Sequence, residues 1–387
     1  MNTTFENSRL SFVLKLAEYF SLENRFPGSE HHENTRVFIK NFLKKLGNYN
    51  SQQFEFELFQ PLWSKVYMDL ASFKGLPYAN SKKGNIEAPL IDCGFGTPTE
   101  LLKCDVKGKI VLLREGKHPF SLKEKLLYQK GAKGILIYRE EVDDYFAGLS
   151  VGLLPVVSIK RSDLVYLPSV VKIQSDLKKV KVKGENIWID FGALDKPHIL
   201  TLIAHYDTKH YTKGAVDNAL SVALLLLLAS ELANDKKLRP YRIRLLFTDA
   251  EEFGLKGAEY FVQNLPLKEL ASSYVISVDT VGWHNPAILV GDSEGKASNY
   301  LANMVEKLLN FLRIRQFFTF SYGRSGRSDH IPFRKRGAKT LFFASHPFPY
   351  RHTSLDTPSI IVPKVVQMWI TLLRFLVKNF HKVGKLN

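Results

Sequence analysis

The sequence predicts a doubly wound α/β domain, with a mixed central sheet and helices on both faces, that carries a smaller inserted α+β domain. From about residue 184 onward, apolar strand-like runs alternate with helical segments, which is typical of such sheets. Between about residues 62 and 181 the pattern changes to short strands separated by Gly, Pro and Asn. The 387 residues, 45% of them hydrophobic, are enough for two cores. We therefore predict a main domain of residues 1–61 and 182–387 and an inserted domain of residues 62–181.

The N-terminal segment predicts two helices followed by a strand. Apolar residues recur at helical spacing through residues 8–46, interrupted by a turn at residues 25–29. Ser29 or Glu30 is expected to begin the second helix, and Gly47 to end it. Residues 54–59 then alternate as a half-buried strand.

The inserted segment shows no cluster of histidines or acids. Its predicted strands are residues 109–113, 134–138 and 154–159, and its predicted helix is residues 122–130. This domain is therefore expected to be structural or to control access to a site elsewhere.

The second half of the chain carries the elements of the main sheet. Predicted strands are residues 186–191, 199–204, 243–248, 274–278, 288–290 and 340–344. Predicted helices are residues 219–232, 257–264 and 297–312, with a last helix beginning at Pro363. The most apolar stretch, residues 219–229, is shorter than the roughly 20 residues that cross a bilayer, so it is expected to be a core helix.

Composition argues against several classes of partner. The net charge is +16, but the lysines are dispersed and no aromatic–basic motif is present, so neither nucleic acid nor a membrane is an expected partner. The two cysteines, Cys93 and Cys104, cannot form a disulfide framework, and the N-terminus has no apolar secretory segment. A cytoplasmic location is expected, while self-association into a homo-oligomer is left open.

Acids and histidines follow several of the predicted strands. They are His205, Asp207, Glu251, Glu252, Asp279 and His352, with Asp217 at the start of the apolar helix. Taken singly, Asp217 would be a helix cap, Asp279 a turn residue and His352 a loop residue. Because the carboxyl ends of neighbouring parallel strands meet at one edge of a sheet, we expect them together in a site whose nitrogen and oxygen ligands suit zinc.

Four of these residues suggest a division of labour. A carboxylate at Asp217 is placed to bridge two metal ions, about 3.5–4 Å apart in such sites. Asp207, two residues beyond His205, could accept the other imidazole proton. In the pair Glu251-Glu252, neighbouring carboxylates point in different directions, so one can bind metal while the other serves as a general base.

The motifs around these residues resemble those of the M28 family of zinc aminopeptidases. They read AHYDT, KGAVDNA, FTDAEEFGLKGAEYF, SVDTVG, GRSDHIPF and HTSLDT in order, preceded by RFPGS near the N-terminus. Residues 106–159, with GKIVLLREG, GAKGILIY and LPVVSI, are similar to a protease-associated (PA) domain. The resemblance implies a fold of the zinc-exopeptidase, phosphorylase/hydrolase-like type, peptide substrates and two Zn²⁺ ions per chain.

The resemblance also implies a role for each site residue. It places His205 and Glu252 on different zinc ions, with Asp279 and His352 completing the ligand sets and Asp217 bridging. It assigns Glu251 as general base, and the peptide bond after Asp217 is often cis in this family.

One departure from the family pattern leaves alternatives open. Many members have Tyr directly before the last histidine, whereas here Arg351 holds that place and Tyr350 stands one residue earlier. Tyr350, and Asp329 in the Gly/Ser-rich loop 323–329, are candidate substrate contacts. The string SHPFPYRHT is similar to the single-zinc glutaminyl cyclases. A cyclase, a carboxypeptidase of the same family and an inactive receptor-like binding protein are therefore the alternative functions.

Overall fold

A computed structural model describes residues 3–68, 71–164, 168–192, 199–235, 241–291, 296–323 and 326–380. Its strands are β1 Asn50–Met68, β2 Ala71–Pro77, β3 Gly84–Asp92, β4 Ile110–Arg114, β5 Gly134–Tyr138, β6 Val156–Ser158, β7 Val170–Gly192, β8 Ile199–His205, β9 Arg242–Thr248, β10 Ser273–Val278, β11 Pro286–Val290, β12 Thr319–Tyr322 and β13 Lys339–Ser345. Its α-helices are α1 Thr3–Phe20, α2 Glu30–Leu46, α3 Pro98–Lys103, α4 Phe120–Gln129, α5 Leu220–Asn234, α6 Lys256–Gln263, α7 Leu267–Ala271, α8 Lys296–Phe311, α9 His330–Lys335 and α10 Pro363–Asn379.

The main sheet has the strand order β1-β7-β9-β8-β10-β13-β11-β12. Strands β9, β8, β10 and β13 run parallel to one another. Strand β7 is antiparallel to β9, and β11 is antiparallel to β13. The predicted mixed sheet is therefore confirmed, and its parallel centre brings the carboxyl ends of four strands to one edge.

Helices cover both faces of this sheet, as predicted. Along β8, Leu202 belongs to the core shared with α1, α2, α5, α8 and α10, while its neighbour Ile203 belongs to the core shared with α6 and α9. Leu245 and Leu246 of β9 divide in the same way. Because successive strand residues point to opposite faces, a continuous apolar run marks a strand that is buried on both sides.

The apolar helix α5 forms part of the first of these cores. The segment Ala215–Asn234 is long and apolar enough to cross a membrane by length and composition alone, but 89% of its 18-residue apolar stretch is buried within the fold. It packs against α1, α2 and α10. This burial confirms the prediction that the segment forms a core helix.

The inserted domain is a closed barrel built on the two longest strands. Its order is β1-β2-β6-β5-β4-β3-β7, and pairing of β7 with β1 closes the ring. Strands β1 and β7 pair from Asn50 opposite Trp188 to Met68 opposite Val171, so one antiparallel ribbon serves both the barrel and the main sheet. The predicted domain limits at residues 61/62 and 181/182 fall inside these strands.

The ribbon is longer than the sequence pattern predicts, and charged cross-strand pairs lie along it. The Lys-rich run at residues 178–183 lies within β7. Lys179 pairs with Glu57 at 2.7 Å and Lys181 with Glu55 at 2.5 Å across the two strands. Such opposite charges stabilise neighbouring strands.

Candidate metal centre

Four neighbouring strands deliver the predicted residues to the same edge of the main sheet. His205 is the last residue of β8, Asp279 follows β10 directly, and Glu251-Glu252 form a turn after β9. His352 lies in the loop after β13, and Asp217 lies in the turn that leads into α5. The structure thus brings the predicted ligands together at the sheet edge.

The first group of candidate ligands consists of His205, Asp217 and Asp279. The His205 Nε2 atom lies 3.3 Å from Asp217 Oδ1 and 3.7 Å from Asp279 Oδ2. All three side chains are buried. The set of one imidazole nitrogen and two carboxylate oxygens matches the donors that zinc prefers.

The second group consists of Glu252, His352 and again Asp217. The His352 Nε2 atom lies 3.0 Å from Glu252 Oε2 and 3.4 Å from Asp217 Oδ2. The two carboxylate oxygens of Asp217 therefore face different groups, which is the arrangement of a bridging ligand. The peptide bond between Asp217 and Asn218 is cis, as the family resemblance implied.

Several buried nitrogen and oxygen atoms in these groups, all of which could bind a metal ion, have no hydrogen-bond partner. They are His205 Nε2, Glu252 Oε1 and Asp279 Oδ1. Buried polar atoms without a partner cost about 1–3 kcal/mol each, and they are rare in folded proteins. Cations held between the two groups would satisfy them, so the residues present fit a metal pair.

The two adjacent glutamates differ in their tendency to bind a proton. Burial, reinforced by the neighbouring Glu252 carboxylate, outweighs the opposing His205 imidazole and raises the pKa of Glu251 well above its usual range. Burial also favours the neutral form of Glu252, but His352 and Lys209 outweigh it and lower its pKa to about 2. Two carboxylates whose pKa values are driven apart are suited to different tasks, one as an acid or base and one as a ligand.

Asp207 supports the glutamate turn as well as the histidine. Its carboxylate accepts hydrogen bonds from the backbone N–H groups of Glu251 at 3.0 Å and Glu252 at 3.1 Å. Asp207 Oδ1 also lies 3.5 Å from His205 Nδ1. One buried carboxylate therefore fixes the turn that carries the glutamates and lies beside the ring of a candidate ligand.

Three further residues hold the candidate ligands in place. The sequence analysis assigned no role to them. Asp356 accepts from the backbone N–H groups of Val216 at 2.8 Å and Asp217 at 3.1 Å. The Asn218 side chain donates to the Val278 carbonyl and accepts from Thr280 N–H, so it spans the backbone on both sides of Asp279. Ser328 Oγ donates to Asp279 Oδ2 at 2.8 Å. All three belong to the motifs that resemble those of the M28 family, and this resemblance is the sequence feature that could have identified them.

Lys209 is another functional candidate, and the sequence analysis did not identify it. It is 3% exposed, and its ammonium nitrogen lies 3.4 Å from Glu252 Oε2 and donates to the Glu252 backbone carbonyl. A buried lysine paired with a carboxylate keeps that carboxylate ionised. Its position four residues after His205 was the only sequence signal.

The two candidate substrate contacts lie outside the cavity lining. Tyr350 packs edge-on against Trp283, with ring centroids 5.3 Å apart, while its neighbours Arg351 and His352 line the cavity. Asp329 is fully buried and accepts a hydrogen bond from Thr248 Oγ1. Burial raises the pKa of Asp329 to about 7.

A cavity of about 590 Å³ opens onto the ligand groups. One wall carries Asp217, Glu251, Glu252, Asp279 and His352 from the main domain. The facing wall is made by the inserted barrel and includes residues 115–120 and 146–149. The inserted domain therefore shapes the space in front of the candidate metal centre.

Comparison with known protein families agrees with this architecture. The family model described as peptidase family M28 matches residues 186–377, and the PA domain model matches residues 79–167. The chain belongs to peptidase family M28 and carries a PA domain.

This M28 chain is similar to several aminopeptidases. It is 29% identical over 303 residues to aminopeptidase YwaD of Bacillus subtilis, which covers 72% of this chain and 64% of that protein. Matches to relatives from Mycobacterium tuberculosis and Aspergillus oryzae cover 43% and 58% of their lengths. The chain thus spans less than two thirds of each of these relatives.

Solved structures share the whole fold. The zinc aminopeptidase BSAP of Bacillus subtilis superposes with a TM-score of 0.77 at 22% identity, covering 96% of this chain and 94% of that one. An aminopeptidase from Aneurinibacillus sp. strain AM-1 gives a TM-score of 0.75 at 21% identity, covering 96% and 93%. At this identity the likeness shows the fold, so the activity of the M28 chain has to be argued from its own site.

Proposed function

We propose that this M28 chain is an aminopeptidase that holds two zinc ions and hydrolyses the N-terminal residue from peptides. The observation that carries the proposal is the position of Asp217. Its two oxygens lie 3.3 Å and 3.4 Å from the Nε2 atoms of His205 and His352, between two otherwise separate ligand groups. The names of the similar proteins, which are aminopeptidases, support the choice of reaction.

The proposed ligands divide by group. His205 and Asp279 would hold one ion, Glu252 and His352 the other, and Asp217 both. When bound, zinc lowers the pKa of water towards about 7 and polarises a carbonyl group. The charge supplied by the protein suits this, because three carboxylates and two neutral imidazoles offset most of the charge of two divalent cations.

Glu251 is the proposed general base. It lies on the cavity wall beside the ligand groups, and its raised pKa makes the ionised carboxylate a stronger base towards the proton of an attacking water. The same carboxyl group would then donate that proton to the leaving amine. Asp207 keeps Glu251 in place through the backbone hydrogen bond at 3.0 Å.

The test combines metal analysis with a panel of matched peptides. The protein is expected to bind two Zn²⁺ per chain and to cleave peptides with a free N-terminus much faster than their N-acetylated counterparts. Equal rates on both would rule out an aminopeptidase while leaving the zinc site intact, and release of a C-terminal residue would indicate a carboxypeptidase.

A peptide that begins with glutamine separates the cyclase alternative in the same panel. One bound Zn²⁺ per chain, with cyclisation of that peptide and no hydrolysis of the others, would identify a cyclase. Failure to bind any metal would favour the receptor-like alternative.

A further inference from the structure

A short segment of the PA domain contacts the loop that carries His352. Arg139, the residue after β5, donates from Nη1 to the carbonyl oxygens of Pro349 and Arg351, each at 2.8 Å. These two carbonyls flank Tyr350, and the carbonyl of Arg351 directly precedes His352. One PA-domain side chain therefore ties down the backbone that leads into a candidate metal ligand.

The contact continues through His352 and beyond it. Ala147 N–H donates to the His352 carbonyl at 2.9 Å, and Phe146 forms an antiparallel bridge with Thr353. Asp144 Oδ2 then accepts from Ser354, from its N–H at 2.9 Å and from its Oγ at 2.6 Å. PA residues 139–147 thus bond to the ligand loop at residues 349, 351, 352 and 354.

His352 needs such support because its backbone is held in an unusual conformation. Its φ of +64° lies in the left-handed region, which side-chain-bearing residues rarely occupy. Conformations of this kind are unfavourable and persist only where the surroundings impose them. The turn at residues 350–353 closes with its own hydrogen bond, from Thr353 N–H to the Tyr350 carbonyl at 3.1 Å, and the contacts from the PA domain hold this turn from both sides of His352.

Arg139 is built into the interface by more than its hydrogen bonds. It is 5% exposed, its guanidinium lies 4.5 Å from the centre of the Phe146 ring, and its Nε lies 3.5 Å from Glu115 Oε2. A buried guanidinium is costly unless it is paired and hydrogen-bonded. Here the ring and the carboxylate come from the PA domain, while the hydrogen bonds from Nη1 reach across to the main domain.

We propose that Arg139 is a positioning residue of the metal centre, through which the PA domain holds His352 in reach of Glu252 and Asp217. The proposal rests on the proposed function, since it assumes that these residues bind zinc. It makes the PA domain part of the centre and gives it a role beyond covering the cavity. Because the hydrogen bonds of Arg139 to the main domain reach the carbonyls of Pro349 and Arg351, its effect is expected at His352 and therefore at the second ligand group.

The experiment is a Zn²⁺ titration of the metal-free protein by calorimetry, with Asp279→Ala and His352→Ala identifying the binding step of each group. Arg139→Met is expected to weaken the step that His352→Ala abolishes by 10- to 100-fold, the usual effect of losing a residue that orients a ligand. The step that Asp279→Ala abolishes should be unchanged. Saturating Zn²⁺ should restore most of the kcat that Arg139→Met loses.

Two further variants keep the test decisive. Arg139→Lys keeps the charge and part of the donation, so it should weaken the same step less, and it decides the matter if Arg139→Met does not fold. Arg114→Met is the matched control, because Arg114 ends the neighbouring strand β4 and pairs at 3.3 Å with Glu140 on the PA surface. It should leave both steps at wild-type affinity.

Several results would overturn the proposal. Equal weakening of both steps, or no weakening of either, would show that Arg139 does not position His352. Two wild-type binding steps without any peptidase activity would refute the proposed function alone. Absence of Zn²⁺ binding by the wild-type protein would refute both.

Discussion

Glu251 and Glu252 are adjacent in the chain, yet only Glu252 belongs to a ligand group. We expect Glu251→Gln to retain both metal ions but to lower kcat by 10²- to 10⁴-fold with little change in KM, because the amide cannot accept the proton. Steady-state kinetics and metal analysis of the purified variant would measure this. Glu259→Gln on α6 is the control and should match the wild-type protein. Wild-type turnover in Glu251→Gln would refute the assignment of the base.

Asp356 provides a second prediction for a single residue, because its carboxylate receives the N–H groups of Val216 and Asp217. In Asp356→Asn an amide N–H would face one of these donors, so a buried donor loses its partner at a cost of about 1–3 kcal/mol. We expect lower stability in urea and weaker binding of both metal ions, since Asp217 serves both groups. Asp176→Asn, at a half-buried position on β7, is the control. Loss at one group only would contradict a bridging Asp217.

The helices and strands differ in how clearly the sequence marks them. The central strands β8, β9, β10 and β13 were predicted to within one or two residues, because a strand buried on both faces is a continuous apolar run. Strands β2, β3 and β12 and helices α3, α7 and α9 were not predicted, since they are short or half-exposed and show no clear period. The full length of β1 was obscured where the register shifts between Pro61 and Trp63.

Contacts between helices allow a prediction about pH. Glu231 on α5 accepts a hydrogen bond from Arg9 of α1 and one from Arg374 of α10, each at 2.6 Å. Burial favours the neutral form, but the two guanidinium groups outweigh it and lower the pKa of Glu231 below its usual value. Because the pKa is lower in the folded state, the ionised form stabilises the fold above the unfolded-state pKa, and this contribution is lost as the pH falls through the folded-state pKa.

We therefore expect Glu231→Gln to lower the free energy of unfolding by about 1 kcal/mol at pH 7, a modest value because the pair is partly exposed. The difference from the wild-type protein should shrink below about pH 4.5 and vanish once the wild-type carboxyl group is protonated. Urea unfolding at a series of pH values measures it. A difference that stayed constant down to pH 3 would contradict the assigned ion pairs.

For the molecule as a whole, the sequence indicated the candidate metal ligands but not the contacts that connect them to the PA domain. His205, Glu252 and Asp279 stand at strand ends, where the topology of a parallel sheet makes their meeting predictable. Arg139 and Asp144 meet the loop of His352 across about 210 residues of chain. No local period or motif encodes such a contact, because it depends on how the barrel packs against the edge of the sheet.

That packing leads to a prediction about metal removal. Metal binding stabilises the folded state by about 2.7 kcal/mol at a free concentration 100-fold above the Kd, and the stabilisation should reach every segment that depends on the bound loop. Ala147 N–H donates to the His352 carbonyl, so its opening is linked to that loop although it belongs to the PA domain. We expect chelation to speed amide hydrogen exchange at residues 144–147, as well as at residues 349–354, measured by mass spectrometry. Amides of β4, inside the barrel, are the internal control and should exchange at unchanged rates. Faster exchange confined to the main domain would show that the PA domain does not sense the metal centre.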